Sequence, residues 1–297
     1  MTQATVRDAA FSGNARSALI VEGGAMRGIF SAGVLDVFLE SRFMPFDLAM
    51  GASAGASNLL SYLAGQHGRN RRCYTQFMAR AEFFDPWRFV RGGHWMDLDW
   101  LWDEITREDP LDLDAVIDNP VELRVTLTSA ETGYPVYLRP EKDEILAALK
   151  GSCALPIFYR GSVAVRNERF VDGAVSDPLP VWEAYRRGAR RIMVVRSRPF
   201  DFVKRPSFGT RVQSLFLRNS PAVARAFETT AMAYRAAMDF IRNPPPDCEV
   251  VHVAPLVQFA TGRTTREVSA LERDYRFGRQ FGDLAMRQWA RLSEKPN

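Results

Sequence analysis

The chain has 297 residues, 46% of them hydrophobic and 25% charged, which is the make-up of a globular protein with ample core, in one large domain or two small ones. A net charge of +4 is too small to argue for nucleic-acid binding. No apolar run approaches the roughly 20 residues of a membrane span, and MTQATVRDAAFSGNARS at the start lacks a secretory apolar stretch, so a cytoplasmic protein is expected.

In chain order, Ser17 to Glu22 reads as a first core strand and Gly23 to Gly28 as a glycine-rich turn. Ile29 to about Arg42 has helical periodicity, with Ile29, Phe30, Val34, Val37 and Phe38 on related faces. A buried strand, Phe46 to Met50, leads to Gly51-Ala52-Ser53-Ala54-Gly55, and a helix from about Ala54 to Gln66 leaves it. Arg71 to Asp109 reads as mainly helical and irregular. Val121 to Ser129 alternates as a strand does, and Tyr134 to Leu138 pairs with it across Glu131-Thr132-Gly133.

Glu141 to Lys150 is a predicted helix. Ser162 to Val165 and Arg169 to Val171 are predicted short strands around Arg166-Asn167-Glu168. Pro180 to Arg187 follows as a helix and Arg191 to Arg196 as a core strand. Thr210 to Arg218 and Pro221 to Ile241 have amphipathic helical patterns, broken by Asn243-Pro244-Pro245-Pro246. Cys248 to Val253 is the last predicted strand, and Thr265 to about Leu292 a long final helix. Strands alternating with helices imply a largely parallel sheet covered on both faces. The expected division is a catalytic core over 15–200 and a mainly helical extension, 201–297, packed on the same domain.

The most informative feature is Ser53. A strand, then G-x-S-x-G, then a helix make a nucleophile elbow, whose small neighbours let the hydroxyl project above the sheet. Gly51 and Gly55 are those neighbours. The helix that starts at the serine turns its free N–H groups and positive end toward any anion formed there.

Glu22-Gly23-Gly24-Ala25-Met26-Arg27-Gly28 also joins a strand to a helix. One reading is a dinucleotide fingerprint, although Ala25 stands where its middle glycine belongs. A second is an oxyanion hole, which needs backbone N–H donors and so tolerates Ala25, with Arg27 adding positive charge or holding the loop. A third is a plain tight turn. Successive strand–loop–helix units would set Gly24 and Ser53 at the carboxyl edge of neighbouring parallel strands.

A serine nucleophile needs a base. His67 reads as a surface or capping residue and His94 as a loop residue. The order Ser53, Asp172, His252 matches that of α/β-hydrolases, but His252 lies inside a predicted strand. The other candidate is Asp172, in Phe170-Val171-Asp172-Gly173-Ala174, where Gly173 and Ala174 leave room for close approach. Asp-Gly is also an ordinary turn dipeptide.

Cys73, Cys153 and Cys248 are odd in number and far apart, so they read as reduced thiols and not as a disulfide or zinc framework. The basic residues are nearly all arginine, which suits anionic partners and equally reflects a compositional bias. Glu82 to Trp102 interleaves seven aromatic residues with arginines. It reads as a lid or acyl-chain wall, or as an aromatic satellite core. Phe208 to Arg218, with Val212, Leu215 and Phe216 on one face, reads as a helix on the sheet or as a lipid-docking cover.

Taken together, Gly23-Gly24-Ala25-Met26-Arg27-Gly28, then Gly51-Ala52-Ser53-Ala54-Gly55, then Asp172-Gly173-Ala174 resemble the patatin-like phospholipase family. Ser152-Cys153-Ala154-Leu155-Pro156 resembles its small-residue segment ahead of the aspartate, and Glu22 to Asp36 is similar to its bacterial branch. The resemblance implies a three-layer α/β/α sandwich with a mostly parallel central sheet, related to the catalytic domain of cytosolic phospholipase A2. It further implies a Ser53–Asp172 dyad without histidine, an oxyanion hole over Gly23–Gly28, and no metal or cofactor. The implied partner is a lipid or phospholipid acyl ester, with room for peripheral membrane contact. Ala25 departs from the family's usual glycine. A lipid- or protein-binding member that has lost turnover is the alternative, and oligomeric state is left open.

Overall fold

The computed structural model describes residues 16–204, 217, 220–256 and 259–293. Its centre is an eight-stranded sheet. The strands are β1 (Ser17–Val21), β2 (Leu48–Ala52), β3 (Glu122–Ser129), β4 (Pro135–Leu138), β5 (Val163–Val165), β6 (Glu168–Asp172), β7 (Arg191–Val195) and β8 (Glu249–Val253). Their order is β5-β6-β3-β2-β1-β7-β8, with β4 also paired to β3. The run from β3 through β2, β1 and β7 to β8 is parallel. The β3–β4, β3–β6 and β5–β6 pairings are antiparallel.

One detail of register sets up the site. Val125 and Thr126 of β3 pair with Gly51 and Ala52 of β2, and also with Leu138 and Tyr137 of β4. A strand has two edges, so β2 and β4 lie on opposite ones. Leu127 and Thr128 pair with Val136 and Pro135 of β4, and also with Asp172 and Val171 of β6. β6 therefore continues the edge that β2 vacates, and the two strands meet end to end.

The helices are α1 (Ile29–Glu40), α2 (Ala54–Leu63), α3 (Arg69–Arg72), α4 (Pro86–Val90), α5 (Leu98–Glu108), α6 (Leu113–Asp118), α7 (Ile145–Cys153), α8 (Val181–Arg186), α9 (Pro221–Arg242) and α10 (Val268–Ser293). Alternate strand residues serve two cores. Leu19, Val21, Ala49 and Val125 pack with residues of α1, α2 and α10, including Phe30, Leu59 and Trp289. Ala18, Ile20, Leu48 and Met50 pack with Val181 of α8 and Tyr234, Met238 and Ile241 of α9. Every residue of β1 and β2 is buried, which is why these strands read as apolar runs. The result is an α/β/α arrangement with a mostly parallel sheet.

α10 lies along α1. Tyr275 donates from its hydroxyl to Asp36 Oδ2 at 2.8 Å, and Arg279 donates to Glu40 Oε1 at 2.7 Å. β8 extends the same sheet beyond β7. Residues from both sides of position 200 therefore contribute to one sheet.

Among the boundaries that differ from the sequence reading, two bear on the site. β2 runs two residues further than Met50, because Gly51 and Ala52 still pair with β3. α2 stops at Leu63, ahead of Gly65, whose φ of 68° ends the helix. The predicted helix over Thr210 to Arg218 lies outside the described residues, Leu217 apart. Within Glu82 to Trp102, the aromatic satellite core accounts for part of the stretch. Phe83, Phe84, Met96 and Leu98 are buried in an aromatic cluster with Tyr74 and Tyr275, whereas Trp87 is 70% exposed.

Candidate active site

Ser53 stands between the end of β2 and the first residue of α2. Its backbone has φ 55° and ψ −131°, a left-handed conformation that costs an L-residue about 1–3 kcal/mol. The surrounding structure holds it there. Its N–H donates to Ser152 Oγ at 2.8 Å, and that hydroxyl donates to Thr126 O at 2.7 Å. Ser152 thus ties the turn to the strand that both site segments flank. Gly51 and Gly55 are buried on either side, in β2 and in the first turn of α2.

Asp172 is the last residue of β6 and is 2% exposed. Its N–H donates to Ala154 O at 3.0 Å, and its Oδ1 accepts from Ala174 N at 2.8 Å. Gly173 lets the chain leave the strand, since a Cβ there would lie 2.0 Å from Thr126 O. Burial pushes the Asp172 carboxyl up to about 6, against the Ala174 N–H bond, a hydrogen-bonding interaction with the Ser53 side chain, and the charges of Arg263 and Lys204.

The glycine loop lies against Ser53. A Cβ at Gly23 would come within 2.5 Å of Ala52 O and 2.9 Å of Ser53 Cβ, so the approach needs glycine. Gly28 ends the turn, and its carbonyl accepts from Asn58 Nδ2 at 2.8 Å. Within the loop, Arg27 N donates to Gly24 O at 3.2 Å and Met26 N to Arg263 O at 3.4 Å. Among the described residues, the N–H groups of Gly24 and Ala25 have no hydrogen-bond acceptor. Ala25 adopts φ 50°, a conformation in which glycine is unstrained and alanine is not. The half-buried Arg27 guanidinium is held down to about 10 by burial first and the neighbouring Arg198 second.

Two cavities meet at Ala25, Ser53 and Met96. One is a cleft of about 440 Å³ that holds Ser53, Asp172, the glycine loop and the cations Arg27, Arg198, Lys204 and Arg263. The other is a narrow apolar pocket, walled by residues that include Tyr74, Phe83, Leu98, Leu101 and Ile105. Cys153, a free thiol, also lines this pocket, and burial pushes it up to about 12.

The three histidines sit elsewhere. His252 is on β8, beyond β7 and β1 from Ser53, and its Nε2 lies 3.2 Å from a guanidinium nitrogen of Arg196. Burial, then the charge of Arg196, holds it down to about 3. His94 stacks on Tyr159 and its Nδ1 accepts from Arg160 N at 2.8 Å. His67 contacts Glu40 on the surface. Sequence reasoning missed Arg198, Lys204 and Arg263 altogether, since nothing in their local pattern marks them. Among the described residues, no group of three or more His, Cys, Asp or Glu side chains is arranged to hold a metal ion. No helix among them is long and apolar enough to cross a membrane.

A domain of unknown function, DUF6363, matches residues 220–294. The uncharacterized protein YjjU of Escherichia coli (strain K12) is 35% identical over 271 residues, covering 90% of this chain and 76% of YjjU. Mouse (Mus musculus) 1-acylglycerol-3-phosphate O-acyltransferase Pnpla3 is 38% identical over 77 residues, 25% of this chain and 18% of that protein. Among solved structures, VipD from Legionella pneumophila aligns with a TM-score of 0.46 at 13% identity, over 93% of this chain and 67% of VipD. The family model for patatin-like phospholipases matches residues 19–185, more than half of the chain and the whole stretch that carries the glycine loop, Ser53 and Asp172, so the chain belongs to the patatin-like phospholipase family.

Proposed function

We propose that the protein is a serine acyl-ester hydrolase that uses Ser53 as nucleophile and Asp172 as base. Family membership supports lipid acyl hydrolysis in general. The observation that supports the specific reading is the meeting of β2 and β6 on one edge of β3, with Ser53 and Asp172 lining one cleft and Ser53 also lining an apolar pocket.

The chemistry follows from the groups present. Asp172 takes the Ser53 proton as Oγ attacks the ester carbonyl carbon. The carbonyl oxygen becomes an oxyanion, stabilised by the N–H groups of Gly24 and Ala25 and by the positive end of α2. The C–O bond to the alcohol breaks, and the alcohol leaves with the proton returned by Asp172. Water, deprotonated by the same carboxylate, then attacks the acyl-enzyme and releases the fatty acid and free Ser53. The apolar pocket takes the acyl chain. The aspartate is suited to this work because burial has brought its proton affinity near neutrality.

The test is labelling by a fluorophosphonate probe alongside hydrolysis of acyl esters of graded length. Labelling and turnover in the wild type, both lost in Ser53→Ala, are the expected outcome. A folded wild type that neither labels nor turns over any ester would instead favour a binding member of the family.

A further inference from the structure

Hydrolysis of a neutral ester needs no cluster of cations, yet four line the cleft beside Ser53. Arg27 comes from the glycine loop. Arg198 and Lys204 come from the segment after β7, and Arg263 from the exposed loop ahead of α10. Against them stand three carboxylates: Glu22 and Asp172, both buried, and Glu228 on the exposed side of α9. Glu22 is already engaged. Its Oε2 accepts from Ser197 N at 2.8 Å and from Ser197 Oγ at 3.4 Å, and its Oε1 lies 3.7 Å from Arg198 Nε.

Behind the wall is a further positive charge. Arg196 is fully buried and donates to the hydroxyl of Tyr234, a cleft residue, at 2.6 and 3.1 Å. Its other side-chain hydrogen-bond contacts among the described residues, Phe200 O and His252 Nε2, are neutral as well. Arg27 Nε is buried without a hydrogen-bond partner among the described residues. Lys204 is held down to about 8 by burial, then by the charges of Arg198 and Arg263. The free cleft thus carries cation–cation repulsion that a bound anion would relieve.

We propose that Arg198, Lys204 and Arg263, together with Arg27, form a subsite that selects acyl esters bearing a phosphate monoester head group; this rests on the acyl-ester reading above. A phosphate monoester carries a charge near −2 at neutral pH and offers three acceptor oxygens, which arginine forks bind in pairs. A zwitterionic phosphodiester would bring an ammonium group into the same cationic space and be repelled. The acyl chain enters the apolar pocket, the ester lies at Ser53, and the head group meets the cations on the far side. Arg263 falls within the 220–294 segment that matches a domain of unknown function, so that segment supplies part of the specificity.

The experiment compares kcat/KM for monooleoylglycerol and for monooleoylglycerol 3-phosphate in the same nonionic micelles. The phosphorylated ester should be preferred roughly tenfold or more at low salt, with the preference shrinking as salt screens the charges. Arg263→Gln and Lys204→Gln should each cut that ratio roughly tenfold, while Arg107→Gln, an exposed cation on α5, should not change it. Equal rates for the two esters in the wild type, or a ratio that survives both substitutions, would overturn the proposal. Inorganic phosphate should compete only weakly. If it binds as well as the phosphorylated lipid, the site serves free phosphate and the lipid reading falls. Should neither ester be turned over, the hydrolase reading fails on its own. Binding to Ser53→Ala then decides the subsite: an Arg263-dependent preference for the phosphorylated lipid supports it, and equal affinity for both lipids removes it.

Discussion

Ser53 and Asp172 succeed one another along a single edge of β3, because Ala52 is paired with Thr126 and Asp172 with Leu127. One step along a strand is about 3.3 Å, so the separation of the two residues is set by sheet register and not by a mobile loop. β4 holds the opposite edge of β3 over the same residues.

Asp172→Asn should abolish hydrolysis and yet stabilise the protein above neutral pH. Burial raises the folded-state value to about 6, above the unfolded one, so the fold favours the neutral acid. That stability is complete below the unfolded value near 3.9 and is lost as pH rises through 6. A shift of this size corresponds to about 3 kcal/mol at pH 8, restored by an uncharged asparagine. Urea titrations at pH 8 and pH 3.5 check this, with the gain expected only at the higher pH. Wild-type hydrolysis should rise through pH 6 as the carboxyl ionises.

Ser152→Ala should injure the site without touching substrate. It leaves the Ser53 N–H and the Thr126 carbonyl without their shared partner, at a cost of about 1–3 kcal/mol. As a positioning residue, Ser152 should affect kcat more than KM. A rise in KM at constant kcat would show that it acts on binding instead.

Ala25→Gly should stabilise the fold by about 0.5–1 kcal/mol. The native φ of 50° is strained for alanine, and the relief exceeds the extra unfolded-state entropy of glycine. The backbone donor stays in place, so hydrolysis should persist. Thermal unfolding reads the first effect, and a lower melting temperature would contradict it.

Leu98→Trp should shorten the acyl chain of the ester that is hydrolysed fastest. Leu98 is buried and walls the apolar pocket opening at Ser53. Added bulk there fills the pocket beyond the ester. Rates across esters of two to sixteen carbons should fall for the long members and hold for the short ones. A uniform loss across the series would mean general damage.

His252→Gln should retain hydrolysis and make the protein less sensitive to acid. The folded-state value of His252 is depressed to about 3, so its contribution is present above the unfolded value near 6.5 and lost as pH falls toward 3. Glutamine does not titrate but can still accept from Arg196. Loss of turnover in a folded variant would point to a serine–aspartate–histidine triad.

Much of the fold was legible because its central strands carry runs such as SALIV that only a doubly covered sheet can bury. The sharp turn at Ser53 was legible because small residues at 51 and 55 flank a serine between two periodic segments. Asp172 entered the reading only through the company of the other motifs, since Asp-Gly alone reads as a turn; in the structure it closes a strand. The cationic wall was not legible. Arg198, Lys204 and Arg263 converge through the crossover after β7 and the approach to α10, and no local pattern encodes that convergence. The ends of β2 and α2 slipped because pairing with β3 and the conformation of Gly65 overrode local preference.

The bond from Met26 N to Arg263 O fastens the glycine loop to a stretch of chain more than two hundred positions away. That stretch leads into α10, which is itself moored to α1. A proteolytic nick or a ligand that pried this tail loose would slacken the loop at once. Shortened versions of the protein that end soon after β7 would therefore lose the anchor of the glycine loop together with their last helix.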